Sequence, residues 1–342
     1  MYQRFYKLTG IPFQLTPDSR FFFSSSGHAR AISHLVYGLT QEEGFIVITG
    51  EVGAGKTTLV EQMWSQLDHN AYLTARIVTT QVSGDDLLRL IMANFGLKSD
   101  GLDKAALLRW FESMVREQRH HARRCVLVVD EVQNLSPGAL EELRMLSNIT
   151  VDGHASVQTI LLGQPQFRAT LSRPDNEQLR QRVLASYHLG PLTGAETRAY
   201  IEHRLRTVGW QGDPVWEDDA FDALYGQTDG IPRRINTLCT RVLLLGALEE
   251  THVIDADMVE STAAELREDL GGGLRQAAPA TATATPAAID GAAGSSDPSA
   301  EDAKIAAYLL RRIQAVEANV VRQERMFRQV IDLLSTNLEP RE

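Results

Sequence analysis

The sequence predicts an α/β protein: a parallel sheet with helices on both faces, followed by a small all-α domain. Three observations predict it. An apolar run, GFIVITG (44–50), opens directly into the glycine-rich stretch GEVGAGKTT (50–58). A second apolar run, CVLVVDE (125–131), closes on two adjacent carboxylates. Short apolar runs alternate with amphipathic segments as far as residue 192, and beyond it only helical periodicity remains.

The elements follow in order. Residues 44–50 are apolar, end in glycine, and read as a buried strand. KTTLVEQMWSQL (56–67) reads as an amphipathic helix, TARIVTT (74–80) as a strand and GDDLLRLIMANFGL (84–97) as a capped helix. A further helix spans 104–120, ahead of the 125–131 strand. PGALEELRMLSNI (137–149) is helical and VQTILLG (157–163) is a strand. Residues 193–269 are predicted to form the helical second domain, with breaks near Gly209–Pro214, Gly226–Pro232 and Thr251. The first domain is thus 1–192.

Composition changes abruptly after that. In residues 271–300, 24 of 30 are Ala, Gly, Ser, Thr or Pro, so the segment (270–300) lacks the large apolar groups needed to offset chain ordering and reads as a flexible linker. Residues 301–342 recover a pattern. Ala306, Ile313, Val320, Phe327 and Leu334 recur every seven positions, with Leu309, Val316, Gln323, Val330 and Asn337 as the second series. That heptad helix suits a coiled coil or docking on a partner protein better than docking back on its own globule.

The bulk properties exclude several classes. Lys and Arg total 34 against 44 Asp and Glu, a formal charge of −10, which does not suit a charge-driven nucleic-acid coat. Two cysteines, Cys125 and Cys239, cannot form a disulfide scaffold; both suit a core and a reducing compartment. The start MYQRFYKLTGIPF has no apolar signal region, and no apolar run is long enough to span a bilayer. The expectation is a soluble cytoplasmic protein. The basic run Arg116, Arg119, His120, His121, Arg123, Arg124 reads as a solvated helix end rather than a nucleic-acid patch.

The glycine-rich stretch carries the chemistry. Gly50, Glu51, Val52, Gly53, Ala54, Gly55, Lys56, Thr57 and Thr58 satisfy G-x-x-x-x-G-K-[ST] between a strand and a helix. Glycine lets the backbone curl so that N–H groups converge on phosphate oxygens, and the helix adds its positive end. Lys56 then reaches the β- and γ-phosphates of ATP, and Thr57 offers its hydroxyl to Mg2+. In a parallel sheet ligands sit at the carboxyl ends of strands. Asp130 is therefore placed to hold Mg2+ and Glu131 to polarise an attacking water, which points to hydrolysis. Pro12, Phe13 and Pro17 either line an adenine slot or pack beneath the sheet.

Beyond this motif, the N-terminal residues Tyr2, Phe5-Tyr6-Lys7-Leu8, Pro12-Phe13, Pro17-Asp18 and Phe21 form a signature. With VVDEVQNLS (128–136), LLGQP (161–165), LRQRV (179–183) and GIPRRIN (230–236), they resemble the general secretion pathway protein A (ExeA-like) family of AAA+ ATPases. That group includes ATPases found beside exopolysaccharide and exosortase genes. The resemblance covers about residues 1–268.

It implies a P-loop AAA+ fold and a ring or partial ring of identical subunits. By position it implies that Gln164 is sensor 1, Arg233 is sensor 2 in the helical lid, and Arg182 is an arginine finger given to a neighbouring subunit, with Arg173 and Arg180 close by. It also implies ATP hydrolysis that drives or regulates assembly of an envelope export system, for secretion or exopolysaccharide. The alternative among its relatives is an ATP-dependent DNA-binding regulator of transposition or replication. Longer family members are expected to carry a membrane span and a periplasmic peptidoglycan-binding domain. Here the linker and heptad helix follow instead, which points to output through a protein partner and recruitment to the inner membrane.

Overall fold

The computed structural model describes residues 1–271, apart from Pro17, His69, Thr79, Thr80, Gln81, Asp100 and Asp152. The linker from residue 272 and the heptad helix at 301–342 lie outside the described residues.

Helix α1 (Ser26–Gln41) precedes the first strand, β1 (Phe45–Gly50). Then follow α2 (Lys56–Gln66), β2 (Tyr72–Val78), α3 (Gly84–Asn94), α4 (Lys104–His120), β3 (Arg124–Asp130), α5 (Pro137–Asn148), β4 (Gln158–Gly163) and β5 (Val183–Leu189). The five strands form one parallel sheet in the order β2-β3-β4-β1-β5. The central strands β1 and β4 are buried at every position, as continuous apolar runs covered on both faces require.

Each face carries its own core. On one side Leu87, Ile91, Phe111 and Leu140 of α3, α4 and α5 pack on Leu127, Val129 and Leu161. On the other, Leu35 of α1 and Leu59 and Met63 of α2 pack on Ile48, Val128 and Leu162. The two faces therefore hold the strand tips rigidly, and the site is built on those tips.

The helical domain comprises α6 (Gly194–Thr207), α7 (Asp218–Thr228), α8 (Pro232–Leu248) and α9 (Ala256–Gly271). A capping box at Thr193 starts α6: the Thr193 hydroxyl accepts from the Glu196 N–H, and the Glu196 carboxylate accepts from the Thr193 N–H. A two-residue strand pair, Val215–Trp216 with Val253–Ile254, joins the α6–α7 connection to the α8–α9 connection. It adds a minimal strand pair to an otherwise helical domain; two residues are too few to leave a period-two signal.

Among the elements that the sequence does not mark are a long helix and a strand of the main sheet. Helix α1 follows a capping Ser25 and buries Ala31, Leu35 and Leu39 at i, i+4 spacing. Strand β5 is an edge strand whose outward positions are partly exposed, so its composition is mixed.

The N-terminal segment lies against the helical domain. Tyr6, Leu8, Phe13 and Phe21 are buried in the same cluster as Ile201, Leu205, Leu238 and Val242. Phe13, 1% exposed, thus neither lines a slot nor sits beneath the sheet. Burying it in this core contributes roughly 2–3 kcal/mol. Polar bonds fix the segment: Thr9 N–H and hydroxyl both donate to the Val208 carbonyl at 2.9 Å, and Tyr6 hydroxyl donates to the Thr251 carbonyl at 3.1 Å.

Cys125 and Cys239 are buried free thiols, and burial pushes Cys125 up to about 11 and Cys239 higher still. Of the basic run, Arg119, Arg123 and Arg124 donate to the carbonyls of Ala155, Tyr72 and Leu39, so they staple the lower edge of the sheet. No helix among the described residues is long and apolar enough to cross a membrane.

Candidate nucleotide site

The loop between β1 and α2 turns on two glycines. Gly53 has φ +83° and Gly55 φ +94°, a region costly for any residue with a Cβ. Gly55 is also the N-cap of α2, so the first N–H groups of that helix open toward the loop. Lys56 is 5% exposed, and its Nζ donates to the carbonyls of Gly50 (2.8 Å) and Glu51 (3.0 Å). Burial lowers the Lys56 pKa, while Glu131, Asp130 and Glu51 oppose that shift. An ammonium folded onto its own loop is a cradle with its cation already in place.

The tip of β3 faces it. The Thr57 hydroxyl donates to Asp130 Oδ2 at 2.7 Å, joining two hard oxygen groups 73 residues apart in sequence. Asp130 is 3% exposed, and its other oxygen accepts the Glu131 N–H at 2.9 Å. Arg76, on β2, reaches the same Oδ2 at 3.5 Å and Glu61 at 2.7 Å. Thr57 and Asp130 together have the donor chemistry that Mg2+ takes.

Glu131 leaves the strand with φ +51°, a left-handed conformation rare for a residue with a side chain. Its carboxylate is then held from the β4 side: Gln164 Nε2 donates to Glu131 Oε2 at 3.1 Å, and Gln133 Nε2 donates to the same oxygen. Gln133 Oε1 in turn accepts the Gln164 N–H at 2.9 Å. The three residues form a closed set that fixes where the carboxylate points.

The helical domain supplies the opposite wall. Pro232 opens α8, and the Arg233 N–H donates to the Gly53 carbonyl at 3.2 Å. A Cβ on Gly53 would lie 2.3 Å from the Arg233 Cβ. The Arg233 side chain is exposed along the cleft between the loop and α8. The remaining wall is the segment Gln14–Thr16 with Phe22 and Phe23. Arg204 holds that wall: 6% exposed, it donates to the Pro12 carbonyl (2.6 Å), the Gln14 carbonyl (3.2 Å) and the Tyr200 hydroxyl (2.7 Å). Its guanidinium also lies 4.7 Å from the Phe21 ring.

His28, the third residue of α1, lies under the loop. Its Nδ1 is 2.7 Å from Ser25 Oγ, its ring stands edge-on to Phe22, and a Cβ on Gly55 would approach its Nε2 to 3.0 Å. Burial lowers its pKa to about 4, so it is a neutral imidazole.

Lys56, Thr57, Glu131 and Arg233 thus line one cleft, with Asp130 bonded to Thr57 and Gln164 to Glu131 behind it. Arg182 lies at the other end of the sheet: its main-chain carbonyl accepts from the Phe45 N–H at the start of β1, and its guanidinium donates to the Ser147 carbonyl at 3.0 Å. Arg173 and Arg180 beside it are exposed. Sequence reasoning missed His28, Arg76, Gln133 and Arg204. Gln133 stood within the VVDEVQNLS signature, but nothing local marks it as a partner of Glu131.

Comparison with known proteins agrees with this architecture. An AAA domain family matches residues 39–171. General secretion pathway protein A of Aeromonas hydrophila is 36% identical over 258 residues, covering 74% of this chain and 46% of that protein. The chain therefore spans about half the length of the curated relative it matches. Among solved structures, Cdc6p from Pyrobaculum aerophilum is similar with a TM-score of 0.58 at 17% identity, covering 76% of this chain and 74% of that one. The Aeropyrum pernix ORC2 protein, solved as ADPNP-ADP complexes, is similar with a TM-score of 0.53 at 18% identity, covering 73% and 72%. At such identities the likeness is one of fold.

Proposed function

The chain is an AAA protein related to general secretion pathway protein A, and from that premise we propose that it binds ATP with Mg2+ in the described cleft and hydrolyses it. The observation that carries this reading is the Glu131 carboxylate, held by Gln133 and Gln164 beside the Thr57–Asp130 pair. A protein that only bound nucleotide would not need a carboxylate so oriented.

The roles follow from position. The N–H groups of the loop and of the first turn of α2 hold phosphate oxygens. Lys56 releases its loop carbonyls and moves onto the β- and γ-phosphates. Thr57 and Asp130 hold Mg2+, which when bound neutralises charge on the phosphate oxygens. Glu131 accepts a proton from the attacking water, and Gln164 orients that water. Arg233 reaches the phosphates from the helical domain, so hydrolysis changes how that domain rests on the loop. Arg182, or its neighbours Arg173 and Arg180, completes the site of an adjoining subunit in a ring or partial ring.

The output is assembly or regulation of an envelope export system, for secretion or exopolysaccharide, with a protein partner docking on 301–342 at the inner membrane. The relationship to the secretion protein supports this. The alternative, an ATP-dependent DNA-binding regulator, has less support because Arg119, Arg123 and Arg124 are engaged with main-chain carbonyls.

Replacing Glu131 with Gln is the direct test. ATP binding is retained and turnover falls by roughly 100-fold or more. Unchanged turnover removes Glu131 from the reaction. For the output, affinity capture with the full chain and with a chain lacking 301–342 gives different partners; identical partners refute docking through that segment.

A further inference from the structure

Arg76 stands where a strand facing a helix ordinarily carries an apolar residue. The parallel register pairs Arg76 with Val128 and Val78 with Asp130. Val126 and Val128 belong to the core beneath α1 and α2. The pleat therefore puts Arg76 and Asp130 on that same face, two residues apart along the strands.

From there Arg76 forks. Its Nη2 is 3.5 Å from Asp130 Oδ2, the oxygen that also accepts the Thr57 hydroxyl, and its Nη1 is 2.7 Å from Glu61 Oε1 on α2. The Asp130 side chain is 5% exposed, whereas those of Arg76 and Glu61 are 34% and 42% exposed. The carboxylate assigned to the metal thus shares its working oxygen with a permanent cation. A guanidinium cannot relieve repulsion by losing a proton, so it coexists with a second cation or moves. Its shorter bond, on the solvent side, gives it somewhere to move.

We propose that Arg76 is a built-in counter-ion of Asp130 with which a divalent metal competes, so that it sets the metal concentration at which the nucleotide site becomes competent. Glu61 is the second anchor onto which the fork swings. This rests on the reading of the cleft as a Mg2+-nucleotide site. Without metal, Arg76 lies beside the buried carboxylate on the oxygen that Thr57 also holds. With metal, its Nη2 gives up Asp130 while Nη1 stays on Glu61. Two cations held a few ångströms apart at one half-exposed oxygen repel with the strength expected near solvent, which amounts to roughly tenfold in metal affinity.

The test uses the full chain and Mn2+, followed by its paramagnetic resonance, in the presence of a non-hydrolysable ATP analogue. Arg76→Met lowers the half-saturating Mn2+ by about tenfold, and Arg76→Lys, which keeps the charge but cannot span both carboxylates, falls between it and the wild type. Glu61→Gln acts in the opposite direction, raising the threshold severalfold because the fork then has only Asp130. A fluorescent ATP analogue in EDTA binds all four proteins alike, which separates the metal effect from general damage to the cleft. Thermal melting reports folding; should Arg76→Met fail to fold, the Glu61→Gln shift decides. An unmoved or raised threshold in Arg76→Met, or a lowered one in Glu61→Gln, overturns the inference while the nucleotide reading stands. Failure of the wild type to bind nucleotide with or without metal overturns both.

Discussion

The Arg233 N–H donates to the carbonyl oxygen of Gly53, and the two residues touch so closely that no side chain fits between them. The phosphate loop and the helical domain therefore meet through a backbone hydrogen bond, with the Arg233 side chain lying directly over Gly53. Pro232 has no N–H, so Arg233 supplies a donor at the start of α8 to a carbonyl of the loop. Any change in the loop on filling must move this contact, and any change in the helical domain must be felt by the loop.

Gly53→Ala tests that coupling. The new Cβ would lie 2.3 Å from the Arg233 Cβ, at a φ of +83° that alanine adopts only with strain. The expected loss is about 1–2 kcal/mol of stability. Where the same strain is felt in the filled loop, nucleotide affinity measured by calorimetry falls roughly five- to thirtyfold, since every 1.4 kcal/mol is a factor of ten. Affinity equal to the wild type would show that the helical domain does not rest on the loop in solution.

The Gln133–Gln164 pair predicts a kinetic effect without a binding effect. Each donates to the same Glu131 oxygen, and Gln133 also accepts from the Gln164 main chain. Gln133→Ala frees the carboxylate to rotate, so kcat falls by up to roughly 100-fold with little change in KM. Steady-state ATP turnover with the full chain measures it. A KM effect alone would mean that Gln133 only shapes the cleft.

Much of this site was legible because its signals are local. The loop and the β3 tip are marked by contiguous residues, and β1, β3 and β4 are apolar runs with few alternatives. The Thr57–Asp130 contact follows once both motifs are placed on a parallel sheet. What stayed hidden is set by distant partners. Gln133 becomes a positioning residue only because Gln164 arrives beside it from β4. Phe13 is buried among residues of the helical domain, and Arg204, some 190 positions later, takes the neighbouring Pro12 carbonyl. Helix α1 went unassigned although Ser25 caps it, and β5 because an edge strand alternates too weakly to stand out.

Arg204 predicts that the N-terminal wall depends on one buried side chain. Arg204→Met keeps much of the volume but leaves the Pro12 and Gln14 carbonyls without their donor, in a site only 6% exposed. The cost is roughly 2–4 kcal/mol. Urea denaturation measures it, and limited proteolysis cuts the first 24 residues faster in the variant. Arg204→Lys recovers part of the loss. If cleavage rates match the wild type, the apolar contacts of Tyr6, Leu8 and Phe13 hold the segment without Arg204.

His28 predicts a pH dependence of folding. Burial depresses its folded-state pKa from 6.5 to about 4, with Glu196 opposing weakly. Between those values the unfolded chain binds a proton that the folded chain refuses, so stability declines as pH falls below 6.5 and this loss is complete near pH 4. At pH 5 the decline amounts to about 2 kcal/mol, from 1.36 kcal/mol per pH unit. His203 is depressed by the same cause, so the informative quantity is the difference between the wild type and His28→Gln rather than the total slope. Chemical denaturation at pH 7 and pH 5 yields it: the variant loses less stability over that interval, whatever its stability at pH 7. Because His28 lies against Gly55, nucleotide affinity weakens over the same pH window in the wild type and less in the variant. Parallel pH profiles for the two proteins would mean that His28 is protonated as readily in the fold as in the unfolded chain, and that its burial beneath the loop does not persist in solution.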